Sequence, residues 1–364
     1  MITSASQIKT GARFNEFSNV FINKIDRFIN AFFINKIKNS GYQFNKDMYQ
    51  LLADYCLRKG KRVRPVILIA SYCGYKKTDK KLDEIIKVAA AIEMMHSFLL
   101  IQDDIIDKSG LRRGEKTLHI LCRDRFAGRT KNPDIGNDIA LILTDVLFSC
   151  AVEIIGNVKI KQKIKERFLL QFADTYEQTA WGQILDSLNS LPVKIDAGSS
   201  DPMEISILKT AHYTILGPML MGFRLSGKEN AEMEQRIKIF SIPLGLAFQI
   251  RDDILGIFGK KEETGKPSDS DIKEAKYTLL IQDTIRNLPK KESALFIKIF
   301  TKTQKSQKDI SYIRSMITKS GALEKSYKKI KNLTDAARKN IEVLKIRKKE
   351  MMILAGLIDL IEEV

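Results

Sequence analysis

The chain has 364 residues, 44% of them apolar, and so can bury a large core in one large domain or two ordinary ones. Its four cysteines are widely spaced, with no CxxC pair and no Cys/His cluster, which excludes a disulfide framework and a zinc site and fits a reducing cytoplasm. The net charge of +17 resides largely in lysines at helix-surface spacing in the C-terminal third, without a nucleic-acid-binding motif or interleaved aromatic residues, so no nucleic-acid partner is expected.

Apolar residues recur at helical spacing along most of the chain, as in Leu82, Ile85, Ile86, Ala89 and Ile92. Only eight prolines are present, alternating β-branched runs are scarce, and no Gly/Ser/Pro-rich linker divides the chain. The pattern predicts a single all-α domain over residues 1–364. Its motifs lie within about residues 50–285, and charged C-terminal helices over 286–364 contribute to the fold.

The N-terminus lacks the charged start and apolar centre of a signal peptide. The most apolar window, Ile139 to Ile155, is interrupted by Asp145 and Glu153 and is too short to span a bilayer, so we expect it to form a buried helix. These features predict a soluble, cytoplasmic protein with no transmembrane segment.

The first stretch with chemical content is GKRVRP, residues 60–65. It sets Lys61, Arg62 and Arg64 between a flexible glycine and a proline that helps to start the next helix. Basic side chains at a helix N-terminus, beside free backbone N–H donors, form a receptor for a phosphate group. Basic helix starts are common, so this stretch alone is a weak indication.

A helix that begins near Leu82 ends in the stretch IQDDIIDKSGLRRGEKT, residues 101–117. Asp103 and Asp107 are one turn apart and point the same way, so their oxygens can share a hard divalent cation. Asp104 lies about 100° around the helix axis and is interpreted as a supporting carboxylate. An isolated DDxxD also fits a solvated acidic helix end, so the metal interpretation depends on its neighbours.

His96 lies seven residues before Asp103, on nearly the same face of this helix. A lone histidine is more often structural, but beside a phosphate group His96 could donate a hydrogen bond to an oxyanion. Arg112 and Arg113 follow the acidic residues closely, so the stretch collects both signs of charge. Glu93, on the same stripe, has no assigned role.

Further motifs follow in order along the chain. They are GKRVRP (60–65), HSFLLIQDDIIDKSGLRRGEKT (96–117), GQILDS (182–187), KTAHYT (209–214), FQIRDDILGIFG (248–259) and GKPSDSDIKEAKYTLL (265–280). This ordered set resembles the trans-isoprenyl diphosphate synthases, the polyprenyl synthetase family that includes farnesyl and geranylgeranyl diphosphate synthases. Its details are similar to the archaeal-type geranylgeranyl synthases.

The resemblance implies an isoprenoid synthase-type helical bundle around a central active-site cavity. It also implies that an allylic diphosphate ionises and that the carbocation joins the double bond of isopentenyl diphosphate. The leaving diphosphate needs cations to neutralise its charge as it departs. The implied cofactor is Mg²⁺, with three ions per site bound by Asp103, Asp107 and Asp252, and the implied assembly is a homodimer.

The resemblance also assigns roles residue by residue. The residues implied for catalysis are Asp103, Asp107, Arg112, Lys209 and Asp252. The residues implied for the allylic diphosphate are Arg112, Lys209, Thr210, Gln249, Lys266 and Lys276. The residues implied for isopentenyl diphosphate, which is held without metal, are Lys61, Arg64, His96 and Arg113.

The chain departs from the family pattern in four places, one of which is Thr144-Asp145, where Gly-Asp is usual. The second acidic motif reads DDILG, so Gly256 stands where many relatives have a third aspartate, and metal binding there rests on Asp252, with Asp253 contributing through water. Ala275 occupies a position that is often glycine. The polar stretch over 128–138 is longer than is typical of the family, and its role is unassigned.

Product length is expected to depend on the helix that carries Asp103. Leu99 and Phe98, four and five residues earlier, lie about 6 to 7.5 Å deeper. The growing product is expected to extend from the diphosphates along this helix, in a tunnel. Leu99 lies nearly below Asp103, while Phe98 is turned around the helix axis and reaches the tunnel only because its side chain is large. The single aromatic residue resembles the archaeal-type pattern and predicts geranylgeranyl diphosphate (C20), with farnesyl diphosphate (C15) or a longer chain as alternatives. Ordinary interhelix packing of Phe98 is the competing interpretation.

Two other classes of function were weighed against a prenyl transferase. A non-catalytic regulatory subunit of a prenyl synthase tends to lose the acidic pairs or the basic residues, whereas this chain keeps both. A terpene cyclase needs one diphosphate pocket, whereas GKRVRP together with Arg113 furnishes a second.

Overall fold

The computed structural model describes residues 5–76, 80–189, 201–259 and 269–363, with side chains described from residue 11 onward except at 270. The helices up to the first acidic cluster are α1 (Ala5–Asn39), α2 (Gln43–Cys56), α3 (Val63–Tyr75) and α4 (Leu82–Ile106). A short antiparallel hairpin follows, formed by β1 (Leu111–Arg112) and β2 (Glu115–Lys116).

The rest of the described chain is helical. The middle of the chain forms α5 (Leu118–Phe126), a 3₁₀ turn (Ala127–Arg129), α6 (Ile135–Asn157), α7 (Gln162–Asn189), α8 (Pro202–Ile205), a π-helix (Ser206–Leu216), α9 (Gly217–Leu225) and α10 (Ala231–Phe258). The C-terminal part forms α11 (Ser270–Lys273), α12 (Leu279–Asn287), α13 (Lys290–Phe300), α14 (Gln307–Lys319), α15 (Ala322–Lys339), a 3₁₀ turn (Glu342–Leu344) and α16 (Lys348–Glu362). The predicted all-α class is confirmed, with one small hairpin.

One compact unit, here called the Asp103 unit, comprises Asn15–Phe168 and Gly222–Gly227. Its centre is α3, whose residues from Pro65 onward are buried. A helix that is apolar on every side must be covered on every side. α4 packs against α3 and α6, which places the acidic C-terminal end of α4 beside well-packed helices.

Helix α6 has one buried face and one exposed apolar face. Leu141, Ile142, Phe148 and Val152 are between 41% and 62% exposed. Among the described residues, α6 is the one helix long and apolar enough to cross a membrane, and 44% of its apolar window is buried. The expectation of a buried helix therefore holds for one face of α6 and is wrong for the other.

The second unit, here called the Asp252 unit, comprises Met1–Phe14, Leu169–Met221 and Lys228–Val364. Its central helix is α10, which packs against the π-helix, α15 and α16. Two glycines allow close approach to the π-helix: a Cβ at Gly182 would lie 2.4 Å from the Lys209 nitrogen, and one at Gly245 would lie 2.5 Å from Cα of Ala211.

The four cysteines and the single tryptophan are divided between the two units. Cys56, Cys73, Cys122 and Cys150 are buried thiols that form no disulfide, and all belong to the Asp103 unit. Burial raises the pKa of the Cys56 thiol to about 12, and those of Cys122 and Cys150 to about 11. Trp181, on α7, is 53% exposed and belongs to the Asp252 unit.

Candidate active site

The first acidic cluster lies where α4 ends. The N–H of Asp107 donates to the carbonyl of Asp103 over 2.8 Å, so the helical turn extends through Asp107 and the two carboxylates are one turn apart. Both residues are half-buried. Asp104 is fully buried and accepts a hydrogen bond from the Tyr55 hydroxyl at 2.9 Å. The environments of these aspartates therefore differ as the helical spacing predicts.

Arg112 links this cluster to the hairpin. Its Nε donates to Asp104 Oδ1 at 2.8 Å, and its Nη2 donates to the same oxygen and to Asp103 Oδ2 at 3.3 Å. Burial lowers the pKa of the Arg112 guanidinium, but the Asp104 and Asp103 carboxylates outweigh this and raise it overall. The buried Asp104 charge is thus compensated within the protein. Nothing in the local sequence of Tyr55 indicates its contact with Asp104.

The residues predicted for isopentenyl diphosphate come together around the 60–65 loop. Arg64, at the start of α3, places Nη1 3.3 Å from Nε2 of His96. A Cβ at Gly60 would lie 2.8 Å from Cζ of Arg113, so only glycine lets that guanidinium lie across the loop. Lys61 follows in the same loop and is exposed. The structure therefore brings Arg64, Arg113 and His96 together beside this loop, which also carries Lys61.

His96 is held as the neutral imidazole. Burial lowers its pKa well below the ordinary value, and the guanidinium groups of Arg64 and Arg113 lower it further. If Arg64 donates to Nε2, the ring proton lies on Nδ1. Nδ1 would then be the donor nitrogen, and its hydrogen bond to an anion stays a prediction.

Arg62, in the same loop, has a different environment from its basic neighbours. It is buried and donates from Nη1 to Glu93 at 2.7 Å and from Nε to Asp26 at 3.1 Å. Its Nη2 donates to the carbonyl of Cys56 at 2.8 Å. Glu93, which had no assigned role, is thus the buried partner of Arg62.

The second acidic cluster lies on α10. Asp252 is exposed, whereas Asp253 is buried and accepts from the Gln249 amide at 2.6 Å. The hydroxyl of Thr210, on the π-helix, donates to Gln249 Oε1. Burial raises the pKa of Asp253 well above its ordinary value, and nearby carboxylates, Asp271 first among them, add to the rise.

The predicted lysines have different surroundings. Lys209, on the π-helix, places Nζ 2.6 Å from Oδ2 of Asp186. Lys276 places Nζ 3.0 Å from Oε2 of Glu274. Lys266 lies outside the described residues. Asp186 stands in the quoted GQILDS motif but received no role of its own. Its carboxylate in that motif was the signal that could have indicated a partner for Lys209.

The carboxylates fit a hydrated divalent cation better than a closed metal cage. Within the described residues no group of three or more His, Cys, Asp or Glu side chains is arranged to hold a metal ion. Mg²⁺ usually keeps several waters and takes one or two protein carboxylates together with substrate phosphate oxygens. Asp103 and Asp107 in the Asp103 unit are half-buried, and Asp252 in the Asp252 unit is exposed, so each unit carries carboxylate oxygens of this kind.

Phe98 and Leu99 are half-buried on α4. The Phe98 ring meets the Phe148 ring of α6, with centroids 6.5 Å apart and an interplanar angle of 49°. Sequence reasoning did not identify Phe148, because residues from two distant helices cannot be paired by local spacing. The role of Phe98 in product length stays a prediction.

A family model, curated relatives and a solved structure all show similarity to prenyl diphosphate synthases. The polyprenyl synthetase family model matches residues 45–317. Geranylgeranyl diphosphate synthase of Saccharolobus solfataricus is 29% identical over 80% of this chain and 82% of its own length, and geranylfarnesyl diphosphate synthase of Aeropyrum pernix is 29% identical over 77% and 82%. A structure of geranylgeranyl pyrophosphate synthase from Corynebacterium glutamicum, complexed with isoprenyl diphosphate and magnesium, superposes with a TM-score of 0.86 at 26% identity, covering 96% of this chain and 98% of that chain.

Proposed function

The chain belongs to the polyprenyl synthetase family, and on that basis we propose that it is a trans-prenyltransferase that condenses isopentenyl diphosphate with an allylic diphosphate. We propose geranylgeranyl diphosphate as the product, because similar proteins bear that name. The geranylfarnesyl synthase among the relatives keeps a longer chain as an alternative.

One observation carries this proposal. The Asp103 unit holds two kinds of groups that could bind a diphosphate. The Asp103 and Asp107 carboxylates could do so through a metal ion, and a basic set could do so directly, where Arg64, His96 and Arg113 meet beside one loop. A metal-binding pair and a separate basic receptor are what two diphosphate substrates require. A cyclase with one diphosphate substrate has no use for the second receptor.

In the proposed reaction, Asp103, Asp107 and Asp252 would hold Mg²⁺ through carboxylate oxygens. The bound metal would supply the positive charge that neutralises the leaving diphosphate. Arg112 donates from Nε and Nη2 to the buried Asp104 carboxylate, which helps to fix the turn that carries Asp103.

The basic side chains bind the two substrates. Lys209, Thr210, Gln249, Lys266 and Lys276 join Arg112 on the allylic diphosphate. Lys61, Arg64 and Arg113 bind isopentenyl diphosphate by charge, and neutral His96 donates a hydrogen bond from Nδ1. Positioning both substrates in this way converts their coupling into an effectively unimolecular step.

We further propose that the protein acts as a homodimer in the cytoplasm. The exposed apolar face of α6 supports self-association, since contiguous apolar surface marks interaction sites. The four free, buried thiols fit a reducing compartment.

The test is incubation of the protein with labelled isopentenyl diphosphate and an allylic primer, with and without Mg²⁺. We expect Mg²⁺-dependent formation of a C20 product, and a loss of turnover by orders of magnitude in Asp103→Asn and Asp252→Asn, which remove charge but keep size. Asp83→Asn, at the exposed opposite end of α4, is the matched control and should retain turnover. Near-normal turnover in both active-site variants would contradict the proposal.

A further inference from the structure

Gly256 lies beneath a carboxylate from another helix. A Cβ added at this position would lie 2.0 Å from Oδ2 and 2.6 Å from Cγ of Asp271, which belongs to α11. Real carbon atoms do not approach so closely, so a side chain at 256 would displace the Asp271 carboxylate. The two positions belong to the same unit and are joined by the packing of α11 on α10.

The Asp271 carboxylate lies where the third aspartate of a DDxxD motif on α10 would begin its side chain. Gly256 follows Asp252 by four residues, so the two positions lie one turn apart on one face of the helix. A third aspartate in a DDxxD pattern would begin its side chain at the Cβ of residue 256. The carboxylate of Asp271 reaches this same point from α11.

We propose that Asp271 supplies the third carboxylate of the second acidic cluster, and that residue 256 is glycine so that this carboxylate can lie against α10. The inference rests on the proposed function, since it concerns the Mg²⁺-diphosphate site of that function. It explains the DDILG variant as an exchange of one carboxylate for another. The lost aspartate at 256 is replaced in space by a residue fifteen positions later.

The test uses the full chain, inorganic pyrophosphate and Mg²⁺, with binding measured by titration calorimetry. Asp271→Asn should weaken Mg²⁺-dependent pyrophosphate binding by about 10- to 100-fold, the range for groups that orient a metal site. Gly256→Ala should weaken it comparably, although a methyl group has no chemistry of its own. The double variant should be no weaker than Asp271→Asn alone, because both changes remove the same group.

A matched control is Gly156→Ala, which also adds a methyl group to a helix but meets nothing within 4 Å. It should leave binding unchanged. If Gly256→Ala does not fold, Asp271→Asn decides the test alone: a binding loss at an unchanged melting temperature, with recovery in Asp271→Glu, supports the proposal. Unchanged binding in Asp271→Asn, or losses that add in the double variant, would overturn it.

The wild-type protein separates this inference from the proposed function. If wild type fails to bind pyrophosphate with Mg²⁺ and forms no prenyl product, the proposed function itself fails. If wild type binds and turns over while all of the variants behave like it, only the role of Asp271 is lost.

Discussion

The basic side chains of residues 60–65 have unlike surroundings although they are close in sequence. Lys61 is exposed, and Arg64 reaches His96. Arg62 has a left-handed backbone, with φ of 45°, and its side chain points into the protein, where both it and that of Glu93 are only 1% exposed. A pair so buried contributes to a unique packing more than to net stability, but it is costly to break.

We therefore expect Arg62→Ala to destabilise the fold by about 3–5 kcal/mol, because it leaves the Glu93 carboxylate buried without its cation. Lys61→Ala, one residue earlier, is the control and should change stability by less than about 0.5 kcal/mol. Urea denaturation followed by circular dichroism measures both. Equal stabilities of the two variants would show that the Arg62 pair is not important to the fold.

His96 predicts a pH dependence of stability. Its folded pKa lies well below the ordinary value of about 6.5 that applies in the unfolded chain. As the pH falls below 6.5, His96 binds a proton in the unfolded state but not in the folded state. The free energy of unfolding therefore decreases toward acid pH, and above this range His96 does not affect it. The slope from one such group is at most about 1.4 kcal/mol per pH unit.

His96→Gln should flatten this acid slope between about pH 6.5 and pH 5.5. The pKa values of His119 and His212 are also lowered, and both residues remain in the variant, so the difference from wild type isolates His96. Denaturant midpoints measured at several pH values check the prediction. Parallel curves for the two proteins would mean that His96 is not held neutral.

At the scale of elements, α4 is proposed to carry both metal binding and control of product length. Asp103 lies in its last turn, Leu99 one turn earlier, and Phe98 faces the Phe148 ring of α6. We predict that these two aromatic rings stop the growing apolar chain. The Phe98 side chain can be removed by substitution without changing the residues that are proposed to hold diphosphate.

Phe98→Ala is therefore expected to shift the products beyond the wild-type length, as measured by chromatography of the dephosphorylated alcohols. Phe148→Ala serves as a comparison, because it removes the partner ring and keeps Phe98 in place. Longer products from Phe148→Ala alone would place the stop on α6. An unchanged distribution from both variants would favour ordinary packing as the role of these rings.

Sequence reasoning succeeded where a feature depends on local spacing. The start of α4 at Leu82 and the one-turn relation of Asp103 and Asp107 are local, whereas the helix expected after GKRVRP begins within that motif, at Val63. It did not anticipate the π-helix that carries Lys209, which Gly182 and Gly245 of other helices approach closely. π-helices are rare and often occur at functional sites, but no local residue pattern predicts them.

Other features escaped prediction for the same reason. Two contacts join residues that are far apart in sequence. They are the ion pair of Lys209 with Asp186 and the close approach of the Asp271 carboxylate to Gly256. By contrast, Ala275, noted as an unusual replacement for glycine, has φ of 53°, the left-handed region that favours glycine. The sequence departure and the backbone conformation coincide there because φ is a property of a single residue.

At the scale of the whole molecule, the apolar face of α6 predicts self-association. Leu141 and Ile142 are 52% and 62% exposed, and Phe148 and Val152 continue the face along the helix. A second copy of the chain would present the same face, as two-fold assemblies require. Burying this surface removes apolar area from water, which is the main driving force for stable association.

Ile142→Glu should shift the protein from dimer toward monomer in sedimentation velocity, because a buried unpaired carboxylate opposes association. Val20→Glu is the control: Val20 is also an exposed apolar residue, at 55%, but lies on α1. Equal sedimentation of Ile142→Glu and wild type as dimers would move the interface elsewhere, and a monomeric wild type would contradict the homodimer.

The division of cysteine and tryptophan between the two units gives the protein two built-in reporters. Buried thiols react with a maleimide only when their surroundings open, so labelling of the four cysteines reports on the Asp103 unit. Fluorescence of Trp181 reports on the Asp252 unit. Because the residues of the two units are interleaved along the chain and no linker divides it, we expect both signals to change at one denaturant concentration. Two separate midpoints would instead reveal two independently unfolding bodies within the single domain that the sequence predicts.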